Sequence, residues 1–272
     1  MTQARLLAIF ALLAGGIVPV AAFAGNAHAY AYESVTNGDF GVIDLTTGVF
    51  TLRGNAGVGQ LAGLGEGLDG TVYAVATHGH QLYSINPATG AATTVGAAVA
   101  VDYLGFGSTS TGLYGYGFDR ILYSIAASTG AATALGATNV PIDGYFGFST
   151  GSDTLYEVHN GDLYSLDVSS GAASLIGHSS TGLFGAAVTV NGILYAGSEN
   201  PLAVYTLDGG TGAGTRGADV GGTGQIFYGL APVSGAVPEA AIWGLMLVGF
   251  AAVGAAMRGA RCPLQTPSIR SA

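Results

Sequence analysis

Short hydrophobic runs recur through the middle of the chain at a nearly constant interval. One phrase has an apolar strand, a polar residue, a few spacers and a Thr/Ser-Gly pair, followed by a second strand. Its copies are Val42-Ile43-Asp44 to Gly48, Leu82-Tyr83-Ser84-Ile85-Asn86 to Gly90, Leu122-Tyr123-Ser124-Ile125 to Gly130, Leu163-Tyr164-Ser165-Leu166-Asp167 to Gly171, and Val204-Tyr205-Thr206-Leu207-Asp208 to Gly212. The turn glycines stand 42, 40, 41 and 41 residues apart. A second phrase, a short aromatic or aliphatic strand holding a glycine, falls around Gly63, Gly105, Gly147, Gly185 and Gly229. A third follows the first four of these: Val72-Tyr73, Leu113-Tyr114, Leu155-Tyr156 and Leu194-Tyr195.

Each unit of about 41 residues thus offers four short strands rich in Tyr, Leu, Ile and Val, with turn signals between them. No stretch of this body keeps a long 3.6-residue period, so no substantial helix is expected there. The unit length matches one four-stranded propeller blade. Asp44, Asn86, Asp167 and Asp208 stand where a side-chain oxygen caps a turn, and the following glycine supplies positive φ, so these acids are read as structural. At Ala126 the cap is missing.

The first and last units are incomplete in complementary ways. Tyr30-Ala31-Tyr32-Glu33 aligns with Leu155-Tyr156-Glu157 as a second strand with no first strand before it. Residues 225–232 read as a first strand with nothing after it. Joined, they make one blade and hide the open edges of a ring. The expectation is an all-β fold, a five-bladed β-propeller of four-stranded antiparallel blades over residues 30–235, with an N-terminal signal helix and a C-terminal transmembrane helix.

Composition narrows the function classes. Of 272 residues only 8% are charged, lysine is absent and glycine occurs 47 times. Between residues 30 and 236, fifteen acids face only Arg53, Arg120 and Arg216. Such an acidic body repels phosphate, which argues against a nucleic-acid partner. With one cysteine, Cys262, no intramolecular disulfide forms.

Both ends read as addresses. Arg5, an apolar run over residues 6–14 and two small-x-small sites, Ala22-Phe23-Ala24 and Ala27-His28-Ala29, have the form of a secretory signal peptide, taken here as residues 1–29. The Sec translocon and signal peptidase are the partners this implies. An uncleaved N-terminal anchor is the other reading. Residues 240–257 carry no charge and span ~27 Å as a helix, enough to cross a bilayer. Arg258 and Arg261 follow, which places them in the cytoplasm and the body outside.

Val237-Pro238-Glu239, Trp243, Met246, Gly249-Phe250, Arg258 and Arg261 stand in the order of the PEP-CTERM sorting signal, and residues 236–261 resemble that family. The second proline of the Pro-Glu-Pro motif is Ala240 here. The resemblance implies a Gram-negative host that makes exopolysaccharide. It also implies removal of the tail by an exosortase-type enzyme and delivery from the inner membrane to the cell surface or biofilm matrix. Residues 262–272 form a short tail. A plain C-terminal membrane anchor is the alternative.

Sequence motifs for chemistry are few. His78 and His80 lie two apart in a loop, His159 stands in the equivalent loop two units on, and His178 follows Gly177. A metal site needs more ligands than this spacing offers, and solvated loop histidines are the simpler reading. The glycine-rich runs lack a following lysine or helix. No catalytic, metal or cofactor residue is assigned. The leading expectation is a non-enzymatic binding or structural module, in contact with exopolysaccharide through exposed tyrosines. The alternative is an extracytoplasmic hydrolase- or lactonase-like enzyme at the axial channel. Three or more Asp, Glu, Asn or His side chains clustered in that channel would favour the enzyme.

Overall fold

A computed structural model of the chain describes residues 27–33, 38–78, 80–142, 146–179, 185–199, 202–221 and 227–233. The expected signal helix and transmembrane helix fall outside these residues, as do all the sorting-signal positions from Val237 to Arg261. No helix among the described residues is long and apolar enough to cross a membrane.

The described chain is all strand and turn. In order it forms β1 (His28–Glu33), β2 (Asp39–Asp44) and β3 (Phe50–Asn55). Next come β4 (Leu61–Glu66), β5 (Val72–Ala76), β6 (Leu82–Ile85) and β7 (Ala92–Val95). Then follow β8 (Tyr103–Thr109), β9 (Gly112–Gly117), β10 (Ile121–Ile125) and β11 (Ala132–Ala137). After these are β12 (Phe146–Phe148), β13 (Leu155–His159), β14 (Asp162–Leu166) and β15 (Ala173–His178). Last are β16 (Ala187–Val190), β17 (Ile193–Glu199), β18 (Leu202–Leu207), β19 (Gly214–Asp219) and β20 (Phe227–Pro232).

The strands make five four-stranded antiparallel sheets, and the fold is a five-bladed β-propeller. Four blades are uninterrupted meanders, β4–β7, β8–β11, β12–β15 and β16–β19, numbered 2 to 5 here. Blade 1 has the order β20-β1-β2-β3, so the C-terminal strand supplies its innermost member. Tyr30 pairs with Ala231, and Ala31 with Leu230. The complementary ends expected from the sequence do share a blade. Their alignment is shifted by two residues, however. Ala29 opposes Ile43 as Leu155 opposes Leu166, so Tyr30, and not Tyr32, is the counterpart of Tyr156. A leucine repeat interrupted by a small alanine conceals that register. β1 therefore starts at His28, ahead of the expected Tyr30.

The turn phrase builds one geometry five times. The amide of the turn glycine donates to the carbonyl four residues earlier in every blade, from Gly48 to Asp44 at 2.7 Å through Gly212 to Asp208 at 2.8 Å. Each of these glycines has φ between 69° and 78°. The Asp44, Asn86, Asp167 and Asp208 side chains cap the turns from beneath; Asp167 Oδ1, for example, accepts the Ser169 amide at 2.9 Å. Bonds from Ser169 and Ser170 hold the exposed Asp167 carboxyl down at about 2. Blade 3 makes the same turn without a cap at Ala126, through backbone bonds and the Thr129 hydroxyl, which accepts the Ala131 amide at 3.3 Å. All four side chains therefore cap their turns, as their position in the repeat predicts.

Hydrophobic clusters fill the gaps between blades. Tyr116, Leu122, Phe148 and Leu155, for instance, join blades 3 and 4. Blades also touch backbone to backbone in two concentric rings. Near the axis, a Cβ on Gly229 would lie 2.5 Å from the Leu64 amide nitrogen, and one on Gly147 would lie 2.6 Å from that of Ala186. At the rim, a Cβ on Gly136 would overlap the Ser170 carbonyl, and one on Gly177 would overlap that of Thr211. The rim ring is completed between blades 5 and 1 by a parallel bridge, Val49 to Gly221.

The rim contact predicts a measurable asymmetry. Gly136→Ala meets immovable backbone and is expected to lower stability by about 2 kcal/mol or more. Gly59→Ala, at a site with open space around it, is expected to stay within about 0.5 kcal/mol of wild type. Denaturant midpoints of the two variants check this.

Candidate functional site

The meander directs loops to two faces. Turns after each first and third strand lie on one face; turns after each second strand and the links between blades lie on the other. All four loop histidines singled out from the sequence belong to the second face, at strand ends or in its loops. His78 Nδ1 and His80 Nε2 both approach Asp102, at 3.9 and 3.5 Å. The other His80 ring nitrogen is 3.0 Å from the Val101 carbonyl, and His78 stacks on Phe118. His178 Nδ1 lies 2.6 Å from Asp162. His159 is buried at the end of β13, with Nε2 at 3.2 Å from the Asn160 amide nitrogen. The counterpart of His80 is Gly161: both have left-handed φ, 54° and 90°, and their carbonyls accept the equivalent amides, Val99 at 2.7 Å and Ser179 at 2.6 Å. Among the described residues, no group of three or more His, Cys, Asp or Glu is placed to hold a metal ion.

On the first face, the exits of the inner strands converge. The Thr150 hydroxyl of blade 4 donates to the Leu64 carbonyl of blade 2 at 2.9 Å, and the Thr189 amide of blade 5 donates to the Thr150 carbonyl at 2.7 Å. The Thr150 side chain is fully buried. These bonds draw three blades together at the axis with backbone and hydroxyl groups. Beside them a pocket of about 330 Å³ is lined by Glu66, Ser108, Thr109, Ser110, Ser152 and Asp153. Among the described residues its lining holds two carboxylates and no imidazole.

A larger cleft, about 770 Å³, opens on the same face between blades 4 and 5. Tyr156, half-buried on β13, forms part of its wall, and Asp153 and Asp208 stand at its edges. Thr206 and Thr215 add hydroxyls, and the 45% exposed side chain of Ile193 adds an apolar patch. This volume lies in the range of small-ligand sites. In the sequence Tyr156 stands only as a strand residue; that Gly151–Asp153 of its own blade and Thr189, Thr206 and Thr215 of the next would meet around it depends on how the blades pack.

A further group escaped sequence reading. Glu157 is fully buried, and among the described residues neither of its carboxyl oxygens has a hydrogen-bond partner. Its equivalents in the other blades are Ala31, Ala74, Gly115 and Ala196, opposite Gly41, Tyr83, Tyr123 and Tyr205 as Glu157 is opposite Tyr164. One acid in a column of small residues was a signal available in the sequence once the repeat had been aligned. Desolvation by burial pushes this carboxyl up to about 8. Burial first, and the Glu157 charge among lesser causes, also raises the phenols of Tyr116 and Tyr164.

No protein-family model and no curated protein matches the chain. Among solved structures, it is similar to a chain of the nidogen/laminin complex, with TM-score 0.53 and 13% identity over 76% of this chain and 81% of that one. It is also similar to virginiamycin B lyase from Staphylococcus aureus, with TM-score 0.44 and 13% identity over 72% and 71% of the two chains. A streptogramin B lyase structure gives TM-score 0.44 and 12% identity over 74% and 71%. At such identities the likeness is one of fold.

The buried carboxyl sets a pH dependence. The unfolded chain releases this proton near the ordinary value of 4.5, whereas the folded chain keeps it until about 8. This carboxyl's contribution to stability is therefore fully present below pH 4.5, is lost progressively between 4.5 and about 8, and is gone above. Glu157→Gln is expected to remove this loss. Urea unfolding of both proteins at pH 5 and pH 8 measures it, and equal losses would contradict the assignment.

Proposed function

We propose that the protein is an exported propeller that binds saccharide without transforming it, and serves as a surface or matrix module in contact with exopolysaccharide. The cleft between blades 4 and 5 is the observation that carries this reading. A tyrosine face, an apolar neighbour and several hydroxyls suit a sugar ring, which presents an apolar face and a polar rim. The surplus of acids in the body favours a neutral glycan over an acidic one.

The chain ends support the destination. The signal-peptide pattern implies passage through the Sec translocon and cleavage by signal peptidase. Pro238-Glu239, Trp243, Gly249-Phe250, Arg258 and Arg261 resemble a signal that first holds the precursor in the inner membrane through an apolar helix. An exosortase-type enzyme then cuts the tail and frees the body to the surface. An enzyme at the axial mouth would need a third carboxylate or an imidazole beside Glu66 and Asp153, and among the described residues the lining of that pocket supplies neither.

Binding of neutral oligosaccharides, and of exopolysaccharide purified from the host, is measured by calorimetry. Tyr156→Ala is expected to weaken binding at least about tenfold, the loss of roughly 1.4 kcal/mol of stacking. Tyr83→Ala, which lies outside this cleft, is expected to leave it unchanged. Equal affinity of wild type and Tyr156→Ala would refute this cleft as the site.

A further inference from the structure

We propose that the leader is removed after Ala24, so that the mature chain begins at Gly25, and that the second small-x-small site, Ala27-His28-Ala29, is not cut. This rests on the exported reading given above. Both sites satisfy the local preference for small residues, so the leader sequence alone does not choose between them. The fold does.

Ala27 and Ala29 belong to the body. Ala29 is 0% exposed and Ala27 5%, and both pack in the cluster that contains Ile43, Leu45, Phe227 and Leu230. The Ala27 carbonyl accepts the Leu45 amide at 2.7 Å. Ala29 lies in two ladders at once, opposite Ile43 of β2 and Pro232 of β20. It occupies the place of Val72, Leu113, Leu155 and Leu194, each buried at the same point of its own blade.

A cut after Ala29 would remove these contacts from the one blade that joins the two ends of the chain. It would also leave an ammonium group on Tyr30, between Val42 and Ala231 in the ladder. A charge placed there loses hydration with no carboxylate opposite it. A cut after Ala24 keeps Ala27, His28 and Ala29 in the mature chain together with these contacts. The reaction is hydrolysis of one amide: water gives its hydroxyl to the Ala24 carbonyl carbon and a proton to the Gly25 nitrogen.

The full chain, expressed in a Gram-negative host, is recovered from the exported fraction and examined by intact mass and N-terminal sequencing. A start at Gly25 is expected. A start at Tyr30 would overturn the proposal while leaving export in place; a chain retaining Met1 would overturn the leader reading as well. Ala24→Leu, which alters only a leader residue, is expected to reduce the mature form at least tenfold. An undiminished yield of mature chain from that variant would also overturn the proposal.

Discussion

The pairing of β1 with β20 is the interaction on which the rest depends. Every blade of a propeller leans on two neighbours, and an open ring would leave two apolar faces and a sheet edge in water. Here residues about two hundred positions apart in sequence form one antiparallel ladder, with Ala29 against Pro232 and Tyr32 against Gly229. The chain has a single cysteine, so no covalent bridge inside it shares this task. Burial strengthens the closure: Ala29, Ala31 and Ala231 are wholly enclosed. The small side chains of β1 let blade 1 accept the larger Phe227, Leu230, Tyr195 and Val188 around them.

Closure also explains the glycines. A ring of five sheets brings backbones into contact at the axis and again at the rim, and at both radii a side chain would collide with a neighbouring main chain. The same crowding limits what the axis can host. Hydroxyls and carbonyls of blades 2, 4 and 5 bond to one another there, which leaves ligand-sized space farther out, between blades 4 and 5. The proposed saccharide site thus follows from where the ring is loosely filled. The buried Glu157 stands in the adjoining blade interface, at a point where the other blades economise on volume with Ala or Gly.

Much of the architecture was legible in the sequence because each blade repeats one turn. The Thr/Ser-Gly phrase, with a capping Asp or Asn, marks a local geometry that depends little on tertiary context, and so blade number and closure could be read from it. Where the local signal weakens, reading fails. Ala29 stands in place of leucine, which hid the start of β1 and shifted its register by two. In blade 5 the glycine phrase at Gly185 pointed to the inner strand, whereas β16 begins at Ala187. The loop histidines were visible as letters, but their dispersal to Asp102, Asn160 and Asp162 is a matter of loop geometry. Glu157 stood out only once the repeat was aligned strand by strand, and Tyr156 gains its surroundings from a neighbouring blade, a meeting that no spacing rule along one chain encodes.

Native-state hydrogen exchange tests the closure most directly. If the ends of the chain are the clasp of the ring, the amides of Tyr30, Ala31 and Tyr32 and those of Gly229, Leu230 and Ala231 should exchange together, at the rate of the slowest strands in blades 2 to 4. Exchange of the β20 amides at loop-like rates, while blades 2 to 4 stay protected, would show that the ring holds without its clasp and would contradict the account.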